Sequence, residues 1–410
     1  MTARKRSLTV VVGAGASVDL AMPSTADLTK RTFDALDVAE AARMALATPP
    51  SRTASLRARL DATYTPSNFE QLLHALEAAA SLQRTWRSST RPRFKVVEGA
   101  LCSSPDASLT TVFDDHFLIQ SRDVLLREIH NAVTSACAVA RSHAFWKEYE
   151  AFWRVLDAEF DLRVVTMNYD DLIEAALHWD ERDEGFETIS GESVSRFRGE
   201  LLGYPTRLLH LHGSIHLGYR TADPNRFVME DDHDDLYRHP SPSAALASWA
   251  ARSTSTSQAG RDTTIGPIIT GLQKPDKLLA EPYLTYFRML CQFIAQSPRL
   301  LVLGYGFGDH HVNAVLGRMA SWHGSARRVG FVAYADRKTW SPASVWVNDH
   351  PDHLRTIMRW SAESGSLDVL SYPDPWIPGG PGATCARGYF GGLADTVRRH
   401  QVDLVRFLQS

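Results

Sequence analysis

Four cysteines in 410 residues, Cys102, Cys137, Cys291 and Cys385, lie far apart and include no Cys-x-x-Cys pair. That spacing excludes a disulfide framework and a cysteine-based zinc module, and it makes a reduced, cytoplasmic chain the expectation. Long apolar runs are missing as well. The opening MTARKRSLTVVVGAGASVDL joins a basic start to an apolar stretch too short for a signal sequence or a membrane span, and Asp19 interrupts it. No sign of charge dominates, since 44 Lys and Arg against 47 Asp and Glu leave a formal charge of −3. The chain as a whole therefore has no general attraction for nucleic acid, although a local basic patch is compatible with that balance. Internal repeats, heptad arrays and a GxxxxGK[ST] loop are also absent, which excludes a solenoid, a coiled coil and a Walker-type ATP site.

What is present is an ordinary globular composition, 44% hydrophobic and 22% charged. Short apolar runs end repeatedly at glycine or at polar residues. They are SLTVVVG (7–13), RVVTMN (163–168), RLLHLHG (207–213) and RLLVLGYG (299–306), with GPIITG (266–271), RRVGFVAY (327–334) and LDVLSY (367–372) as weaker additions. Unbroken apolar runs, rather than alternation, suit parallel strands buried on both sides. The fold class they predict is α/β, a Rossmann-like parallel sheet with helices on both faces.

Helical periodicity fills the gap between the first two runs. A helix is predicted after a cap at Asn68, another over 117–140, and a third whose inner face is Phe145, Tyr149, Phe152, Trp153 and Leu156. Residues 26–159 thus read as a helical insertion subdomain, with 1–25 and 160–340 forming a discontinuous sheet domain. Within that domain, 217–265 is rich in turn formers and charge and reads as a loop or lid. Residues 341–410 read as a C-terminal extension ending in a helix over 393–408.

In a parallel sheet, ligands gather at the carboxyl ends of the strands. Four runs end in unusual sets: Gly-Ala-Gly-Ala-Ser, Thr-Met-Asn-Tyr-Asp, His-Leu-His-Gly-Ser and Gly-Tyr-Gly-Phe-Gly-Asp. Gly13 and Gly15 fit a phosphate-facing turn, because a missing Cβ permits both unusual dihedrals and close approach; a plain tight turn fits too, as Val18 replaces the third glycine of the dinucleotide fingerprint. Asn168 can donate and accept, as needed to fix a ribose hydroxyl or a water, while Asn and Asp there also suit a helix cap opening near Asp171. His212, ending a strand beside a glycine, suits a general base, and His210 a core histidine; the pair could alternatively share a strand face as metal ligands. Asp309 either caps the next helix or binds a hydroxyl, and His310, His311 and Asn313 read as helix residues. The acidic stretch 230–235 reads as a solvated loop.

Taken in order, GAGAS, TMNYD, HLHGS and LGYGFGD resemble the sirtuin superfamily, and most closely its bacterial antiphage-defence branch. The resemblance implies a site for NAD+ at the strand ends. It implies that Gly13, Ala14, Gly15, Ala16 and Ser17 line the diphosphate and ribose, and that Asn168 and Asp170 lie beside the nicotinamide ribose. His212 becomes the catalytic histidine, and Gly304, Tyr305 and Gly306, with Asp309, lie under the adenosine half. The family's loop Pro-Asp-Phe-Arg is here MPST, so that Pro23 and Thr25 are what remains to contact the nucleotide. The missing Cys-x-x-Cys pairs imply no zinc, and no metal ligand is expected. These departures favour NAD+ as a hydrolysed substrate, with Asn168, His212 and Asp170 catalytic, over a protein deacylase or ADP-ribosyltransferase or a noncatalytic NAD+/ADP-ribose sensor controlling assembly. The resemblance further implies an antiphage effector that depletes NAD+, a homo-oligomer, and a complex with a HerA-type hexameric ATPase through which any link to nucleic acid is indirect.

Overall fold

The structure is a computed structural model, and it describes residues 5–43, 52–63, 68–77, 115–199, 205–220, 236–249, 254–258, 261–270, 274, 278, 281–334 and 385–410. The chain divides into two compact units. One comprises Met1–Met22, Ala136–Ser214 and Glu281–Ser410, the other Pro23–Ser135 and Ile215–Ala280.

The first unit is built on six parallel strands. Labelling only the strands of this sheet and the helices of this unit used below, they are β1 (Arg6–Val12), α1 (Trp146–Glu159), β2 (Phe160–Thr166), α2 (Leu172–Leu177), β3 (Leu208–His210), α3 (Tyr283–Gln296), β4 (Arg299–Leu303), α4 (His310–Leu316), β5 (Arg328–Val332), β6 (Ala386–Tyr389) and α5 (Gly392–Gln409). Their order across the sheet is β3-β2-β1-β4-β5-β6. Every pair is parallel, with Val12 level with Thr166 on one side and Leu303 on the other. This is the doubly wound order of a Rossmann-like fold, with its reversal between β1 and β4. The α/β class expected from the apolar runs is the one observed.

Packing explains why those runs became strands. In β1, Leu8 to Val12 are all buried, as a central strand covered on both faces requires. Thr9 is the polar exception, and its hydroxyl donates to the Phe293 carbonyl of α3 at 3.3 Å. The expected aromatic face of α1 is buried as a block: Tyr149, Phe152, Trp153 and Leu156, led by Phe145. Each such side chain contributes about 1.5–3 kcal/mol by leaving water. On α5, Leu404 and Leu408 lie over Gly330 of β5, where an added Cβ would meet Leu404 at 2.9 Å. That glycine lets the closing helix sit flush on the strand.

Two of the weaker runs behave differently. RRVGFVAY supplies β5, but residues 266–270 of GPIITG form no sheet strand, and LDVLSY lies outside the described residues. The sixth strand comes instead from ARGY within the region read as an extension.

The described residues of the second unit are largely helical. They form helices Thr25–Arg43, Arg52–Thr63 and 69–77, and most of Asp115–Ala140. The predicted cap at Asn68 is a reciprocal one: its side chain accepts from the Gln71 amide at 3.0 Å, and Gln71 Oε1 accepts from the Asn68 amide at 2.8 Å. Glu77 and Arg122 are joined at 3.1 Å with side chains only 11% and 8% exposed. The zone read as loop contains more order than expected. Ser241 caps helix Pro242–Ser248, and Thr254–Gln258 pairs antiparallel with Arg261–Ile265. Threonine's β-branching outweighed the polar composition there. The acidic stretch 230–235 falls outside the described residues. Among the described residues, no helix is long and apolar enough to cross a membrane.

Candidate functional site

Because β1, β2, β3 and β4 are parallel neighbours, their carboxyl ends form one rim in the first unit. That rim carries Gly13–Ser17 after β1, Asn168 and Asp170 after β2, His212 after β3, and Gly304–Asp309 after β4. The four sets singled out in the sequence therefore converge. Pro23 and Thr25 belong to the second unit, at the head of its first helix, where Ser24 and Asp27 form a reciprocal cap (Asp27 amide to Ser24 Oγ 3.2 Å, Ser24 amide to Asp27 Oδ2 3.0 Å).

The glycines have a different reason from the one expected. Gly13 is extended (φ −124°), and neither it nor Gly15 needs a left-handed backbone. What excludes a side chain is the neighbouring loop: a Cβ on Gly13 would lie 2.7 Å from Tyr305 Cα, and one on Gly15 2.8 Å from the Gly304 carbonyl. Gly304 is left-handed (φ +58°), as is Phe307 in the same loop (φ +55°), and an added Cβ on Gly304 would meet the Ala16 nitrogen at 2.0 Å. The amides of Gly13, Gly15, Ala16 and Ser17 all donate to backbone carbonyls, two of them across to Leu303 and Gly304. The two loops thus interlock, and what they turn outward is small: Ala14, Gly15, Gly306 and Gly308 are exposed.

Beneath that surface runs a buried polar chain. Asn168 Nδ2 donates to Ser17 Oγ at 3.1 Å, and Ser17 Oγ donates to Asp170 Oδ2 at 3.4 Å. The Asn168 amide donates to Thr166 Oγ1 at 3.0 Å, fixing the turn out of β2. Asp170 Oδ1 accepts from the Leu172 amide at 3.3 Å, so this aspartate also holds the start of α2. Burial, then the charge of Glu174, pushes the Asp170 carboxyl up to about 7. It therefore titrates near neutrality, unlike an ordinary carboxylate.

The two histidines of HLHG are separated by the structure. His210 is fully buried, its Nε2 2.9 Å from Glu174 Oε1 on α2. Burial pulls its pKa down, but the charge and hydrogen bond of Glu174, with Glu184 and Asp170, outweigh burial and raise it to about 9. His210 is thus a cationic core residue. His212 lies one turn further, 3% exposed, with Nε2 3.7 Å from Asp309 Oδ1. The pair does not form a common metal site, since His210 groups with Glu174 and Glu184, and His212 with Asp309 and His311. Asp309 opens α4 without a side-chain capping bond. Tyr305 turns inward, its hydroxyl donating to Asn313 Oδ1 at 3.1 Å, so only its backbone belongs to the rim.

Sequence reasoning gave no site role to Thr166, Glu174 or His311, although Thr166 stood in one of the four sets and His311 was read as a helix residue. Glu174 had a readable cue, an acid placed four residues after Asp170 on an otherwise apolar helix. Chemically the rim combines small exposed backbone, a relay of amide, hydroxyl and carboxyl, and an imidazole beside a carboxylate. Such a set suits binding of hydroxyl-bearing ligands and proton transfer.

Comparison with known families bears on this rim. Residues 162–349 match the SIR2-like domain. The match includes Asn168, Asp170, His212 and Gly304–Asp309, and it begins after the glycine turn of β1. Among solved structures, the chain is similar to a Sir2 homologue in complex with NAD, at 12% identity over 99% of this chain and 90% of that one, with a TM-score of 0.38. It is also similar to a mutant Sir2 homologue in complex with ADP-ribose, at 11% identity over 99% and 92%, with a TM-score of 0.36. No curated protein matches the chain.

Proposed function

We propose that this chain is a sirtuin-superfamily NAD+ hydrolase that cleaves NAD+ to nicotinamide and ADP-ribose. The observation that carries the reading is the convergence of Asn168, Asp170, His212 and the interlocked glycine loops on one rim, most of it within the SIR2-like match. Exposed Ala14 and Gly15 offer a surface low enough for a diphosphate to lie against. In the reaction the bond between ribose C1′ and the pyridinium nitrogen breaks, and its electron pair leaves with neutral nicotinamide. The oxygen of water bonds to C1′, and its proton passes to His212, directly or through a ribose hydroxyl. Asn168 positions ribose or water, and Asp309 stabilises the imidazolium that forms. Asp170, occupied with Ser17 and Leu172, holds the geometry of the Asn168 loop.

The wider role we propose is depletion of cellular NAD+ by an antiphage effector in the cytoplasm. The effector works as a homo-oligomer coupled to a HerA-type hexameric ATPase. The support for that role is the resemblance of the four motifs to the defence branch and the absence of Cys-x-x-Cys pairs. The test follows nicotinamide and ADP-ribose by chromatography, with and without the ATPase, for the wild type, His212→Ala and Asn168→Ala. Loss of a general base lowers turnover about 10²–10⁴-fold, and folded variants are expected to fall that far. Release that requires an acylated peptide would mark a deacylase instead. Tight binding without turnover in the presence of every partner would mark a sensor.

A further inference from the structure

His212, Asp309 and His311 place one donor atom each within 4.8 Å of the others. They come from two fixed backbone segments, the turn after β3 and the first residues of α4. His212 Nε2 and Asp309 Oδ1 are already 3.7 Å apart, and the His212 and His311 rings lie 6.2 Å apart between centroids, tilted by 44°. A zinc ion with bonds of about 2.1 Å holds tetrahedral ligand atoms about 3.4 Å apart. The first pair is near that spacing, and the donor of half-buried His311 lies within 4.8 Å of both.

The geometry points to a binding site for a divalent transition-metal ion at His212, Asp309 and His311 that holds the enzyme inactive while occupied. Two imidazoles and one carboxylate suit zinc and its neighbours, whereas magnesium and calcium require all-oxygen shells. The sequence reading expected no metal ligand, because Cys-x-x-Cys pairs are missing, and it took His311 for a helix residue. An ion here coordinates the His212 nitrogen lone pair that proton transfer needs and ties up the carboxylate beside it. The inhibitory part of the inference rests on the proposed hydrolysis, while the binding part does not.

The experiment titrates zinc chloride into chelator-treated full-length protein by calorimetry and records the visible spectrum with cobalt(II) substituted as a probe. The expected result is one ion per chain, with the intense absorption of tetrahedral cobalt. Affinity should weaken at least tenfold in His311→Ala and in Asp309→Asn, with circular dichroism confirming that both variants fold. No stoichiometric ion, or an affinity unchanged in both variants, overturns the site. In the NAD+ assay, zinc should inhibit the wild type, while His311→Ala retains metal-free turnover and resists zinc. Stimulation by zinc, or equal inhibition of both proteins, overturns the inhibitory role. If the chain cleaves no NAD+ at all, the proposed hydrolysis and the inhibition fail together, and the calorimetry and cobalt spectra still decide the site.

Discussion

Asp170 is the residue at which folding and protonation are most tightly joined. Its folded pKa of about 7 stands above the ordinary 3.8, so the native state holds a proton that the unfolded chain has released. Stability contributed by the neutral form is complete below about pH 4, falls as pH rises between about 4 and 7, and is level above that, with a slope of up to about 1.4 kcal/mol per pH unit. Asp170→Asn removes this proton uptake, so its stability relative to the wild type should rise steadily over the same window. Urea midpoints at several pH values measure the difference, and a constant gap would refute the assignment. At this scale the sequence was partly legible. Asn168, His212 and Asp309 announced themselves by ending apolar runs, and His210 by sitting inside one. Glu174 offered only the cue of an acid on an apolar helix, and the role of His311 was hidden, because His210 and His212 come beside them only when separate strands are laid side by side.

Among the elements, the loops after β1 and β4 behave as one piece, since each excludes side chains from the other. A Gly304→Ala change forces a left-handed alanine and a clash with backbone that has no flexible end to yield. It should cost about 2 kcal/mol or more of stability and abolish nucleotide binding. Gly308 in the same loop has open space where its Cβ would be, so Gly308→Ala should stay within about 0.5 kcal/mol. Thermal denaturation and NAD+ titration of the two variants make the comparison, and equal effects would remove the interlock from the account. The strands of the sheet were legible wherever apolar residues ran unbroken. Tyr-ended ARGY was not, because its four residues carry glycine and arginine, and α5 supplies the cover that makes them a strand. The strand pair 254–258 and 261–265 was hidden for the converse reason, as Ser and Thr satisfy both turn and strand chemistry.

For the whole molecule, the order β3-β2-β1-β4-β5-β6 means that the sheet is finished by residues from the far end of the sequence. Deleting 385–410 removes β6 and α5, uncovers one face of β5 and leaves its edge unpaired. The shortened chain should aggregate on size-exclusion chromatography and lose a cooperative unfolding transition. A monodisperse, cooperatively folding product would show that the first five strands suffice. The same topology matters during synthesis. β1 leaves the ribosome first, but its neighbour β4 is encoded roughly 290 residues later, which at translation speeds of 5–20 residues per second is a wait of about 15–60 s. Throughout that interval the nascent chain exposes Leu-Thr-Val-Val-Val with no completed sheet to enter, an invitation to chaperones. A half-made chain also lacks the Gly304–Asp309 side of its rim, so the candidate site is not assembled until that segment has been made.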